Sequence, residues 1–366
     1  MPLEDPALPG QETMLPPNGM GTAPPRVGGT EVEAALKDRQ SEIDATHPEL
    51  VNLASYLKPE ELALIGEECL EDFRDDEISR ADWMNMHAFW VKLYYQKDKP
   101  LNPPWTGSSC ESIPILAEGC TQFHSRAYKA FFGRPGFIKA APIGKIDKAA
   151  QDRAERVGNY MAWQLEVKDK SYKRNKDRLL RSLPLHGSFF TKVYRDPVRH
   201  RNVIENVRAI DLVVPYGYQA TNVEDMDRKS QIIMMHLRLA QTYVKSGYFV
   251  SMPEPFAPGE MSVVQSALDD ALGVRENPAS KTRPAKIIEQ HRYLDLNKDG
   301  VSEPYIVWVD CQSRKVLRIA IRYDVDSLGM PLEDQEPIEF FTHYPFIENP
   351  DGFYALGQGH LTGDLN

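Results

Sequence analysis

The stretch Lys315–Tyr323 constrains the fold more than any other. Leu317, Ile319, Ile321 and Tyr323 alternate with Arg318, Ala320 and Arg322. A period of two belongs to a β-strand with one face buried and the other wet. Two more strand-like runs precede it, Lys286–Leu294 and Tyr305–Asp310. Together they predict a three-strand antiparallel meander.

The chain before Pro184 has a different rhythm. Leu62, Ile65, Cys69 and Phe73 recur at helical spacing behind Pro59-Glu60-Glu61, residue types that favour a first turn. A second helix places Trp83, Met86, His87, Trp90 and Tyr94 on one face, and Asn102-Pro103-Pro104 breaks it. A third starts at Ser112-Ile113-Pro114 and carries Leu116, Ala117, Cys120, Phe123, His124, Ala127 and Phe131 as its stripe. A fourth helical region spans about 147–183, with Val157, Tyr160, Met161, Leu165, Leu179, Leu180 and Leu183 expected inward.

After Pro184, strands are expected over Ser188–Tyr194 and Asp211–Val214. Gln231–Leu239 leads into a helix near 240–246, and a short helix near 262–272 lies in an inserted loop. Residues 1–29 hold seven prolines and five glycines with almost no aliphatic periodicity, so about 1–45 reads as a disordered tail. The expected class is α+β: disordered tail 1–45, a mainly helical region 46–186, and a β-rich antiparallel hairpin and meander region 187–350. A helix is expected to start within 351–366. That helix begins just as the sequence stops at Asn366, which reads as the N-terminal part of a longer chain.

Composition excludes several classes. Hydrophobic residues make up 42% of the 366, enough for a sizeable core. The net charge of −10 argues against tight, static nucleic-acid binding, which rests on Lys and Arg neutralising phosphates. It leaves open a surface that DNA slides past. No apolar run approaches the roughly eighteen residues of a membrane span, and the N-terminus lacks the basic and apolar regions of a signal peptide. Cys69, Cys110, Cys120 and Cys311 form no C-x-x-C and read as free thiols of a reducing compartment.

One local motif points to cation chemistry. Asp295, Asn297 and Asp299 place oxygens at positions one, three and five of a calcium-like loop. Gly300 supplies the sharp turn, Val301 offers a carbonyl at position seven, and Glu303 falls at position nine. Position twelve is Ile306, where an EF-hand requires a bidentate Glu, and the flanks are strands, so this is no EF-hand. Two readings stand. One is a hairpin tip whose polar side chains bond their own backbone. The other is a weak Ca²⁺ site that rigidifies the tip.

Other signals are less specific. Gly357, Gly359 and Gly363 follow G-x-G-x-x-x-G without a βαβ context. Gln358-Gly359 stands where a Walker motif, counted from Gly352 and Gly357, needs Lys and Ser or Thr. These glycines therefore read as backbone turns and close packing. His87 and His124 fall on apolar helix faces and read as bonded core histidines. There is no G-x-S-x-G or H-E-x-x-H. The run 168–181 carries seven Lys/Arg, and Glu67–Glu77 carries seven carboxylates against Arg74. Each reads as a solvated helix face or, taken together, as opposite patches for a head-to-tail ring contact between copies.

Five segments resemble the portal proteins of tailed double-stranded-DNA bacteriophages. They are ESIPILAEGCTQFHSRAYKAFFGRPGFI (111–138), HGSFFTKVYRDP (186–197), DLVVPYG (211–217), YLDLNKDGVSEPYIVWVD (293–310) and FTHYPFIENPDGFYALGQGHLTGDLN (341–366). The resemblance covers about 50–366, and the Pro-Asp-Gly-Phe-Tyr stretch is its most specific piece. It implies a structural subunit, not an enzyme: a homo-oligomeric ring, typically a dodecamer, at one capsid vertex of the virion, assembled in the host cytoplasm. DNA would pass through its channel, contacted transiently and without sequence preference. Implied partners are the terminase large subunit, head-completion or adaptor proteins, capsid and scaffold, with no membrane. Residues 50–350 would form the outer wing and 351–366 the approach to the channel-lining stem. Two rival classes stand beside this: a calcium-stabilised binding module without a channel role, and an enzyme using a pair of buried carboxylates in a pocket.

Overall fold

The computed structural model describes residues 51–97, 105–108, 113–132, 138–144, 146–196, 201–215, 222–253, 259–275, 283–298, 300–323 and 337–362. The expected N-terminal tail lies outside them. The described residues form a mixed α+β fold of eight helices and eight strands in two antiparallel sheets. The first sheet has the order β2-β1-β8, from β1 (Ser188–Asp196), β2 (Arg201–Arg208) and β8 (Phe341–Pro345). The second runs β3-β4-β5-β6-β7, from β3 (Leu212–Val213), β4 (Lys229–Met235), β5 (Ala285–Leu294), β6 (Glu303–Asp310) and β7 (Val316–Ile321). The predicted meander is β5-β6-β7, with Ile288 opposite Val309 and Val307 opposite Ile319.

Helix α1 (Pro59–Ser79) opens with Pro59 at its first turn, and the Glu61 carboxylate accepts the Lys58 N–H. Its Cys69, Leu70 and Phe73 pack on Val307, Val309, Val316 and Ile319 of the second sheet. The approach is close: a Cβ on Gly66 would lie 2.5 Å from the Arg314 carbonyl. Asn52 covers β7 at the edge of this sheet. Its Oδ1 accepts the Ile319 N–H at 3.1 Å, and its Nδ2 donates to the Leu317 carbonyl at 3.1 Å. One side chain thus pairs backbone groups that an edge strand leaves open.

A second helical layer forms around α2 (Ala81–Tyr94), α3 (Ile115–Phe132) and α7 (Val263–Leu272). Met84, Trp90, Val91, Leu116, Cys120, Val264 and Ala267 share its core. The expected fourth helix is two helices, α4 (Lys148–Trp163) and α5 (Tyr172–His186), separated by a π turn over Gln164–Lys168 that the Asp169 N–H closes onto the Gln164 carbonyl. Helix α6 (Leu237–Lys245) packs Ala240 near Met235, Phe249 and Trp308, and α8 (Gln358–Thr362) ends the described chain.

Several expectations are corrected. Leu317 and Ile319 do not share a face, because the β6–β7 register shifts between Trp308 and Val309 and makes Leu317 the extra residue of a bulge. Leu317 joins Trp308 and Phe249, while Ile319 joins the α1 core. The face expected to be wet is covered as well: Arg318 and Arg322 are 2% and 1% exposed. In the first helices Met86 and Phe131, and on α4 Val157, Tyr160 and Met161, are exposed although their spacing placed them inward. Strand β2 was not anticipated, because its apolar residues are diluted by Arg201, Asn202, Glu205, Asn206 and Arg208.

Candidate functional site

The hairpin between β5 and β6 carries the calcium-like loop. Asp295 Oδ2 accepts the Gly300 N–H at 2.9 Å, and Gly300 takes the positive φ of +89°. Lys298, also left-handed at φ +62°, reaches back to Glu61 at 2.7 Å. Glu303 opens β6 opposite Leu294 and accepts the Tyr305 hydroxyl at 2.5 Å. The Asp295 carboxylate therefore closes its own turn. Glu303 is taken by a strand neighbour, Asn297 and Val301 also have partners, and Asp299 lies outside the described residues. Among the described residues no group of three or more His, Cys, Asp or Glu side chains is placed to hold a metal ion.

A cavity of about 310 Å³ opens between the two sheets. Strand β5 sets its closed end. Its four consecutive polar residues, Glu289 to Arg292, are all buried and divide by strand alternation. Gln290 and Arg292 face α1, where Gln290 donates to the Cys69 carbonyl and Arg292 pairs with Glu68 and Asp72. Glu289 and His291 face the first sheet. Glu289 forms a buried ion pair with Lys192 of β1 and lies 2.8 Å from His291 Nε2, while Lys192 also donates to Gln231 at 3.1 Å. Burial acts to raise the Glu289 carboxyl, but Lys192 and His291 outweigh it and hold the group at about 2. Burial drives His291 down to about 4.

The cavity walls are aromatic. Tyr243, Tyr248 and Trp308 form a continuous side, with centroids 4.8 Å apart between the tyrosines and 6.0 Å from Tyr248 to Trp308. Arg318 stacks on Tyr248 at 4.1 Å and donates to its carbonyl. Across the cavity, the Tyr194 hydroxyl donates to Glu205 at 3.3 Å. Burial raises the Glu205 carboxyl and the Tyr194 phenol. Sequence reasoning assigned none of these residues to a site: Arg318 read as the wet face of a strand and Lys192 as part of a basic patch. The available signal was the polar run Glu289–Arg292 inside an otherwise apolar strand. Two carboxylates, Glu205 and Glu289, line the cavity, and Lys192 keeps Glu289 ionised.

The third constellation is the C-terminal junction. Ser188 Oγ accepts the Ala355 N–H at 2.8 Å, and Gly187, at φ +80°, lies so close that a Cβ there would collide with the Ala355 carbonyl. A Cβ on Gly359 would likewise collide with the Trp90 ring. Arg80, 6% exposed, donates to the carbonyls of Ala209, Ile210 and Leu212, and Tyr354 donates to the Leu212 carbonyl at 2.9 Å. Trp83 stacks on Tyr354 at 4.4 Å, and His360 meets Trp90 at 4.2 Å. Gly357 and Gly359 therefore serve close packing, as expected, and Gly363 lies outside the described residues. His87 is fully buried and bonded, and His124 bonds Asp177 at 2.7 Å.

The acidic run is largely engaged within the chain. Glu67 meets Arg314, Glu68 and Asp72 meet Arg292, Asp72 and Asp76 meet Arg228, and Glu77 meets Lys286. It clamps α1 to the second sheet. On α5, Lys173 pairs with Glu166, Arg181 with Asp177, and Lys176 is buried against Tyr344. Cys69, Cys120 and Cys311 are free thiols, which burial raises to about 11, 12 and 12, and Cys110 lies outside the described residues. No helix among the described residues is long and apolar enough to cross a membrane. No protein-family model matches the chain, and no curated protein matches it at a significant level.

Proposed function

We propose that the chain is the wing-side part of a portal subunit of a tailed double-stranded-DNA bacteriophage. In this reading it is a structural, non-catalytic wall element of a ring, a dodecamer in the family pattern, at the capsid vertex. It assembles in the host cytoplasm, guides DNA during packaging and ejection, and docks the terminase large subunit, adaptor proteins, capsid and scaffold.

One observation carries the reading. Four of the five segments that resemble portals meet at the C-terminal junction, although they are far apart in sequence. Segment 186–197 forms β1 and pairs with β8 of segment 341–366, with Thr191 opposite Thr342. Segment 211–217 receives the Tyr354 hydroxyl on Leu212. Segment 111–138 forms α3, where a Cβ on Gly119 would lie 2.7 Å from Gln358 Oε1. Unrelated chance similarities have no reason to converge on one contact. In this reading the junction is the approach to the stem; it is held by backbone contacts, buried aromatics and the Arg80 clamp.

Two features agree with a ring wall. Val157, Tyr160, Met161 and Trp163 of α4 expose apolar surface of the kind that subunit contacts cover. The net charge of −10 suits a conduit that must not hold DNA. Since the acidic run is engaged internally, apolar area rather than charge pairing would carry the contact between copies.

The test is to read the source gene past codon 366 and to image the product of the whole frame by negative-stain electron microscopy. Closed rings support the reading. A product that remains monomeric as its concentration is raised overturns it.

A further inference from the structure

We propose that the cavity between the two sheets is a binding site for a flat aromatic ligand with N–H donors on its edge, an amino-substituted nitrogen heterocycle or an aryl amidine, held at Glu205. The volume of about 310 Å³ lies at the small end of ligand sites and admits one or two fused rings with a short substituent. Tyr243, Tyr248 and Trp308 offer a continuous aromatic wall, and a flat ring gains most against such a surface.

The polar groups decide the ligand's donor character. Lys192 is already committed to Glu289 and Gln231, and Arg318 to the Tyr248 ring and carbonyl. An anion beside Lys192 would have to pull it away from Glu289 and leave a buried carboxylate uncompensated, which is strongly unfavourable, while Arg195, the remaining cation on the lining, is exposed, where an ion pair gains little. Glu205 is in the opposite position. Its carboxylate has a single hydrogen bond, from Tyr194 at 3.3 Å, and makes no ion pair among the described residues. A carboxylate so placed accepts N–H donors from a ligand edge without breaking any contact already made. The site shares no lining residue with the C-terminal junction and requires no ring, so it stands or falls independently of the portal reading.

The test uses the purified chain and isothermal titration with three probes: guanosine, benzamidine and benzoate. Guanosine and benzamidine both present N–H donors on a flat ring and separate the heterocycle from the amidine, while benzoate offers the opposite charge on the same ring. The expected result is saturable binding of at least one N–H donor and none of benzoate. Glu205→Gln keeps the shape of the side chain and should weaken binding about tenfold or more, the loss of a charge-assisted hydrogen bond. Leu239→Trp, at a half-exposed position on the cavity rim, should block the site while leaving the melting temperature unchanged. Failure of both N–H donors at millimolar concentration, equal binding of benzoate, or unchanged affinity in Glu205→Gln would each overturn the proposal.

Discussion

His87 of α2 and His186 at the end of α5 meet through a backbone carbonyl: His87 Nε2 lies 3.2 Å from the His186 oxygen, and the two rings stack with centroids 5.4 Å apart. The other nitrogen, Nδ1, lies 2.9 Å from the Trp83 carbonyl. Two acceptors face one imidazole, and only the doubly protonated ring has a hydrogen for each. Burial opposes that charge and lowers His87 to about 4 and His186 to about 3.

A pH dependence follows, with a definite sign. A histidine whose folded pKa lies below its unfolded value of about 6.5 binds fewer protons in the folded state. Its contribution is complete above pH 6.5 and is lost as pH falls toward about 4 for His87 and about 3 for His186. At about 1.4 kcal/mol per pKa unit, His87 alone costs on the order of 3 kcal/mol at the acid end. His291 and His343, both lowered to about 4 by burial, act in the same direction. Urea midpoints measured from pH 7 down to 4 should fall steadily; a flat profile would show that these rings titrate normally.

The junction glycines are open to direct test. Gly187→Ala adds a Cβ where φ is +80° and where the Ala355 carbonyl already occupies the space. Strain and overpacking together should cost about 2–4 kcal/mol. Limited proteolysis should then cut after Phe346 faster than in the parent protein. Gly247→Ala, also at positive φ but with open space around it, should cost less and leave the cleavage rate unchanged.

The buried Lys192–Glu289 pair should behave as a unit. Lys192→Met leaves Glu289 uncompensated at 2% exposure and should destabilise by about 3–5 kcal/mol. Lys192→Met with Glu289→Gln should recover a large part of that loss. Chemical denaturation of the two single variants and the double variant gives the coupling energy, and strict additivity would show that the two groups do not interact.

At the hairpin tip, Asp295→Ala removes the acceptor for the Gly300 N–H and should cost about 1 kcal/mol. The cost should be the same in EDTA and in millimolar calcium if the carboxylate only closes its turn. A penalty that grows with calcium would instead establish Asp295 as a metal ligand.

Much of the architecture was legible because local patterns carry it. The α1 stripe Cys69, Phe73, the meander β5-β6-β7 and the helix Val263–Leu272 follow from periodicity and turn chemistry alone. The failures were equally physical. The bulge at Leu317 arises from pairing with β6, so no pattern within β7 announces it. The exposed face of α4 has the same spacing as a buried one, and only packing distinguishes them.

What the sequence determined by itself is the class of the fold and the chemistry of its turns: helices ahead of β1, mainly antiparallel strands from β1 onward, a polar hairpin tip at Asp295 and close-packing glycines near the C-terminus. Only the tertiary structure decided which polar groups meet. Lys192 and Glu289 are 97 residues apart, and Arg80 and Leu212 are 132 apart. Lys192, Glu289 and Arg80 each look like surface residues when taken alone, since burying a charge is costly and only the folded chain supplies the group that offsets it.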